Sequence, residues 1–140
     1  MLALTLFLAG CPGEPPPGED PDAELTDFQL EHGIGPIQEA YEPSEEVDES
    51  LATEGERTFQ VNCQACHRME DGFVGPALGD VLERRTPTFV LNMILNPEEM
   101  GRRHPEGQAL RAEYPSAMPY QGIGEDEARA ILEYLRREAR

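Results

Sequence analysis

A chain of 140 residues with no Trp, nine Phe and Tyr together, thirteen Pro and thirteen Gly has room for one domain and its tails, and its own side chains make only a small hydrophobic core. Its formal charge of −17, from 28 acids against eleven Arg and no Lys, excludes nucleic acid as a partner, because phosphate binding needs a basic face. The acids are unevenly placed: residues 12–50 hold thirteen of them and no Lys or Arg, which leaves residues 51–140 only mildly acidic.

The chain opens on nine residues that are apolar apart from Thr5, followed by Gly10-Cys11. This run is too short to span a bilayer, and the small residues Ala9 and Gly10 suit a signal peptidase. Residues 1–11 look like a bacterial lipoprotein signal, which implies that Cys11 becomes the lipid-modified first residue; the alternative is a plain secretory signal with Cys11 incidental. A basic segment at the start is missing, so the true start is expected upstream of Met1.

Residues 12–50 read as an acidic, Pro-rich linker or arm. From Pro12 to Asp22 there is no apolar residue to seed a core, and like charges make this part an extended, self-repelling spacer. If all of 12–50 were flexible, its r.m.s. reach would be roughly 35 Å, enough to let a tethered domain swing between partners. Leu25, Phe28, Leu30, Ile34 and Ile37 are more apolar than a spacer requires, so this part is expected to dock on the domain as an irregular arm, with a sticky linker as the alternative. His32 reads as a surface or capping histidine.

Residues 51–140 form the domain proper. Thr53 to Glu56 fits a capping box, and Phe59, Val61 and Cys63 continue a helical run. Gly55 inside it costs about 1 kcal/mol against Ala, which predicts a close helix crossing there. The run delivers Cys63-Gln64-Ala65-Cys66-His67, a covalent haem attachment pattern: two thiols two residues apart add to the two vinyl groups of one haem c, and His67 becomes the proximal axial ligand. The competing readings are a redox dithiol, a zinc half-site and a disulfide. Zinc would want a second pair of ligands, a redox dithiol a βαβ context, and the sequence offers neither. A haem also remedies the small core, since the few aliphatic residues gain a flat apolar surface to cover.

Further along, Phe89, Val90, Met93 and Ile94 make one apolar face of a helix over 86–96, ended at Asn96-Pro97. Arg84 and Arg85 before it read as solvated charges, with a haem-propionate contact as the alternative. The stretch from Pro97 to Pro115 is polar and long enough to cover a haem edge or a partner surface. A last helix runs from the acids Glu125-Asp126-Glu127 to Arg136, Arg137 and Arg140, with Ala128, Ile131, Leu132 and Leu135 as its apolar stripe.

The sixth iron ligand has five candidates: Met69, Met93, Met100, His104 and Met118. Met69 is only two residues from His67, about 7 Å of extended chain, and has difficulty rounding the ring. Met118 precedes Pro119, which pushes its backbone toward the extended form and lets the thioether point inward from a loop. Met118 is the expected ligand, Met100 and His104 the next, and Met93 is expected in the core.

With Gly55 and Phe59 ahead of Cys63 to His67, then Gly75-Pro76-Ala77-Leu78, a middle helix, Met118-Pro119 and the ending from Ala130 to Leu135, residues 51–140 resemble a class I, mitochondrial-type monohaem cytochrome c domain. The resemblance implies an all-α fold with the haem in the core and the first and last helices of the domain crossing near Gly55, Phe59, Ile131 and Tyr134. It implies that the Pro76 carbonyl takes a hydrogen bond from the His67 imidazole, fixing the ring and raising its basicity. It also places Met118 where the family keeps its methionine, and haem attachment outside the cytoplasm.

A haem with both axial positions filled passes one electron at a time, and Met opposite His raises the potential relative to two His. The expected function is therefore a monomeric, lipid-anchored electron carrier on the extracytoplasmic, periplasmic face. Its redox partners would be a quinol-oxidising complex and a terminal oxidase or reductase, nitrous oxide reductase among the possibilities. The alternative is a haem-based ligand sensor or small peroxidase with a labile sixth ligand; no distal His and Arg pair is evident to support peroxidase chemistry.

Overall fold

In the computed structural model, residues 23–139 are described, and among them the chain forms seven helices and no strand. Cys11 and the spacer up to Asp22 lie outside the described residues. None of the helices is long and apolar enough to cross a membrane.

The first helix, α1, spans Asp27–His32. It starts because Thr26 Oγ1 accepts the Gln29 amide while Gln29 Oε1 accepts the Thr26 amide, and it stops at Gly33, whose φ of 81° turns the chain. The apolar arm thus carries a capped helical turn where an irregular segment was expected. Beyond it Ile34 and Ile37 are buried.

Asn92, fully buried, organises the return of the arm: its Oδ1 accepts from Ile37 N, and its Nδ2 donates to the carbonyls of His32 and Ile37, all at 3.0 Å. The Ile34 amide donates to Met100 Sδ at 3.0 Å, and His104 Nε2 donates to the Leu30 carbonyl at 3.2 Å. The chain from Leu25 on is therefore held against the domain, and Arg103 already reaches the Ala23 carbonyl at 2.9 Å. A reach of some 35 Å for the whole of 12–50 does not apply.

Helix α2 spans Glu49–Asn62, beginning four residues before the capping box expected at Thr53. The reason is Asp48, whose carboxylate accepts the amides of Ser50 and Leu51 and whose own amide donates to Glu133 Oε2 at 3.0 Å. Thr53 instead sits inside the helix, donating back to the Glu49 carbonyl. Glu133 is almost fully buried and closes an ion pair with Arg136 at 2.6 Å; Arg136 also donates to the carbonyls of Ser44 and Glu45. This clamp fixes the end of the arm to the last helix.

That last helix, α7, spans Glu125–Glu138, as its acidic start and basic end predict. It crosses α2 in backbone contact: a Cβ added at Gly55 would lie 1.8 Å from the Ala130 carbonyl oxygen. Phe59 and Tyr134 meet beside the crossing, ring centroids 5.1 Å apart, and Ile131, Leu132 and Leu135 fill the core below.

Between these two lie four shorter helices: α3 Val81–Arg84, α4 Pro87–Leu95, α5 Pro97–Arg103 and α6 Pro105–Glu113. Thr86 caps α4, its Oγ1 accepting the Phe89 amide at 3.1 Å. The Pro97 to Pro115 stretch is thus mostly helical. Both of its prolines at 97 and 105 sit in the first turn of a helix, where the missing N–H costs nothing.

Candidate haem site

The end of α2 turns directly into the attachment motif. Cys63 caps α2, and the amides of Cys66 and His67 both donate to the Cys63 carbonyl, winding the five residues into a turn. The chain then folds back on itself: Gly75 N donates to Cys66 O, Leu78 N to Arg68 O and Gly79 N to Met69 O. This return places Pro76 under the imidazole, with His67 Nδ1 2.9 Å from the Pro76 carbonyl. A carbonyl can only accept, so Nδ1 carries the proton and Nε2 presents its lone pair, the state a metal-ligating imidazole needs. Gly75 fits flush against the ring, since a Cβ there would be 2.6 Å from His67 Cε1.

Above the motif opens a cavity of about 420 Å³. Cys63, Cys66 and His67 form one part of its wall, α4 contributes Phe89, Val90, Met93 and Ile94, and α7 contributes Ile131 and Leu135. The α5–α6 hairpin and the loop carrying Met118 close the remainder. A mostly apolar chamber with two thiols and one imidazole in its wall fits a haem c.

The competing chemistries fare poorly here. Burial, and then the charge of Cys66, push the Cys63 thiol up to about 11, the opposite of the lowered value that makes a dithiol redox-active. The two cysteines are not joined to each other. Among the described residues no three His, Cys, Asp or Glu side chains converge as a metal site would require.

The five candidates for the sixth ligand are separated by the fold. Met118 and Met93 line the cavity; Met69, Met100 and His104 do not. Met69 packs on the main core. Met100 is fully buried and its sulfur is engaged by Ile34. Both nitrogens of His104 are used, Nδ1 accepting the Glu106 amide and Nε2 donating to Leu30. His32 stands away from the cavity, its ring tilted against Phe28 and its Nδ1 2.9 Å from Thr86 Oγ1.

The Pro97 to Pro115 stretch does line the cavity, as the sequence suggests; what sequence reasoning missed is that it does so as two helices, α5 and α6, which bring Arg102, Arg111 and Tyr114 into the wall. It also misplaced Arg85. Arg84 is a surface charge paired with Asp80, but Arg85 lines the cavity, lies over Phe89 and pairs with Glu106.

The cytochrome c family model matches residues 52–138, and the chain belongs to that family, with haem c attached through Cys63 and Cys66. The fold is similar to a solved cytochrome c from Rhodothermus marinus, with a TM-score of 0.76 and 43% identity over 81% of this chain and 97% of that one. Only two residues follow position 138, so a match of that extent takes in part of the arm before α2. An engineered form of the Rhodothermus marinus cytochrome, Rma TDE, is similar at a TM-score of 0.75 and 42% identity, covering 86% of this chain and 98% of that one. A curated cytochrome c-553-like protein of Synechocystis sp. is 32% identical, covering 35% of this chain; the chain spans 59% of that relative's length.

Proposed function

We propose that this c-type cytochrome is a single-electron carrier in which His67 and Met118 hold the iron from opposite sides. The observation that carries the reading is that His67, its Nδ1 fixed by Pro76, and Met118 both line the apolar cavity at the attachment motif, while Met100 and His104 are engaged elsewhere. The bound haem supplies reversible exchange of one electron at iron. The protein's part is to keep both axial positions filled and the ring out of water. A thioether opposite an imidazole favours the ferrous state relative to two imidazoles and sets the carrier toward a higher potential.

The carrier works on the extracytoplasmic side, lipid-anchored at Cys11, between a quinol-oxidising complex and a terminal oxidase or periplasmic reductase. What supports this location is the apolar run ending in Cys11, together with covalent haem attachment. Replacing Cys11 with Ser is expected to move the matured cytochrome from the membrane fraction to the soluble fraction; retention on membranes would remove the anchor from this reading.

Axial ligation is tested by optical spectra of the oxidised and reduced holoprotein, wild type beside Met118→Ala. The oxidised wild type is expected to show the weak sulfur-to-iron band at the red end of the visible spectrum, and the variant to lose it and to bind carbon monoxide when reduced. A wild type that lacks the band and takes up carbon monoxide readily has an open site, which replaces the carrier by a ligand sensor or small peroxidase.

A further inference from the structure

Three arginines stand in the wall of the haem cavity: Arg85 ahead of α4, Arg102 on α5 and Arg111 on α6. Two of them already face carboxylates of the chain, Arg85 meeting Glu106 and Arg102 meeting Glu99. Arg111 has neither an acidic nor a carbonyl partner among the described residues. Its side chain lies across Gly101 of α5, where a Cβ would come within 2.8 Å of Arg111 Cδ. Arg111, itself solvent-exposed, is thus the arginine of this wall whose guanidinium is left uncommitted by the described residues.

A haem is an apolar disc carrying two propionate carboxylates, and those carboxylates need a cation or water. The other charged groups on this side are Glu98 and Glu99, which repel a carboxylate, and the two arginines committed elsewhere; Tyr114, just after α6, is the remaining titratable neighbour. We propose that Arg111 is the cation that pairs with a haem propionate at the α5–α6 wall. A guanidinium fork matches a carboxylate with two parallel hydrogen bonds, and α6, through Arg111, becomes part of the cofactor site. The inference rests on the covalent haem and not on Met118.

The pairing has an electrostatic signature. A cation beside the propionate keeps it ionised and offsets its charge at the iron. Without that cation, ferric iron is favoured, and the propionate takes up a proton at higher pH. The measurement is the reduction potential of the haem-loaded protein from pH 5 to 9, for the wild type, Arg111→Gln, Arg111→Lys and Arg85→Gln.

Arg111→Gln is expected to shift the equilibrium toward ferric iron about threefold at high pH, or about 30 mV for a one-electron couple. Its potential should also fall with rising pH through the neutral range, where the wild type is flat; Arg111→Lys should restore most of both. Superimposable profiles for Arg111→Gln and the wild type overturn the proposal, as does the same signature appearing in Arg85→Gln and not in Arg111→Gln. The sulfur-to-iron band is recorded on the same samples, so a failure at Arg111 leaves the axial assignment standing or falling by itself.

Discussion

Replacing Gly55 with Ala is expected to lower the melting temperature of the haem-loaded protein by about 10 °C, in spite of alanine being the better helix former. The added methyl would sit 1.8 Å from the Ala130 carbonyl oxygen, a backbone atom in the middle of α7 that no rotamer change can move. Helices α2 and α7 must therefore separate. Their separation strips the contact of Phe59 with Tyr134 and loosens Ile131 and Leu135 in the cavity wall. Overpacking against a backbone atom that cannot turn away costs about 3 kcal/mol, the upper end of the usual range, against about 1 kcal/mol gained in helix propensity, so a net loss of about 2 kcal/mol is expected. Thermal unfolding followed at the haem band measures it. A melting temperature within 2 °C of the wild type would show that the crossing is more compliant than its geometry implies.

The second large effect is at Asn92. Substitution by Leu keeps the volume but leaves the Ile37 amide, the Ile37 carbonyl and the His32 carbonyl without their partner. Each buried group so orphaned costs about 1–3 kcal/mol, and the cheapest escape is for the arm to lift and find water. Asn92→Leu should therefore lose about 3 kcal/mol and become sensitive to limited proteolysis between residues 23 and 40, where the wild type resists. Unchanged resistance to protease would mean that the arm is held by Ile34, Met100 and the clamp at Glu133 without help from Asn92.

The parts of this protein that were readable in its sequence are those whose determinants lie close together in the chain. The haem motif needs its spacing for covalent reasons, and α7 announces itself by acids, stripe and arginines within fourteen residues. The start of α2 was misread because Thr53 offers a plausible local cap, while the cap in use, Asp48, is secured by Glu133 from 85 residues away. Helices α5 and α6 were hidden because Pro97 reads as the end of the preceding helix and the stretch after it as polar, whereas Pro97 and Pro105 both occupy first turns.

A signal for α1 was present in Thr26, Gln29 and Gly33, a capping pair and a terminator, but the acidic surroundings masked it. The sixth-ligand candidates show the same limit. Nothing near Met100 or His104 in sequence says that Ile34 and Leu30, more than sixty residues earlier, occupy their polar atoms.

The docked arm alters how far the haem can travel. With the Ala23 carbonyl held by Arg103 and the chain fastened from there on, only residues 12–22 separate the proposed lipid at Cys11 from the folded body. Eleven residues span at most about 40 Å even when drawn straight. If Cys11 carries the lipid, a cytochrome on so short a leash would sample a thin shell above the bilayer and meet membrane-embedded partners at an effective concentration in the mM range. Its search for a donor or acceptor would then become lateral diffusion in two dimensions. Such an anchor would favour exchange between neighbouring complexes in the same membrane over delivery across a periplasm wider than the leash.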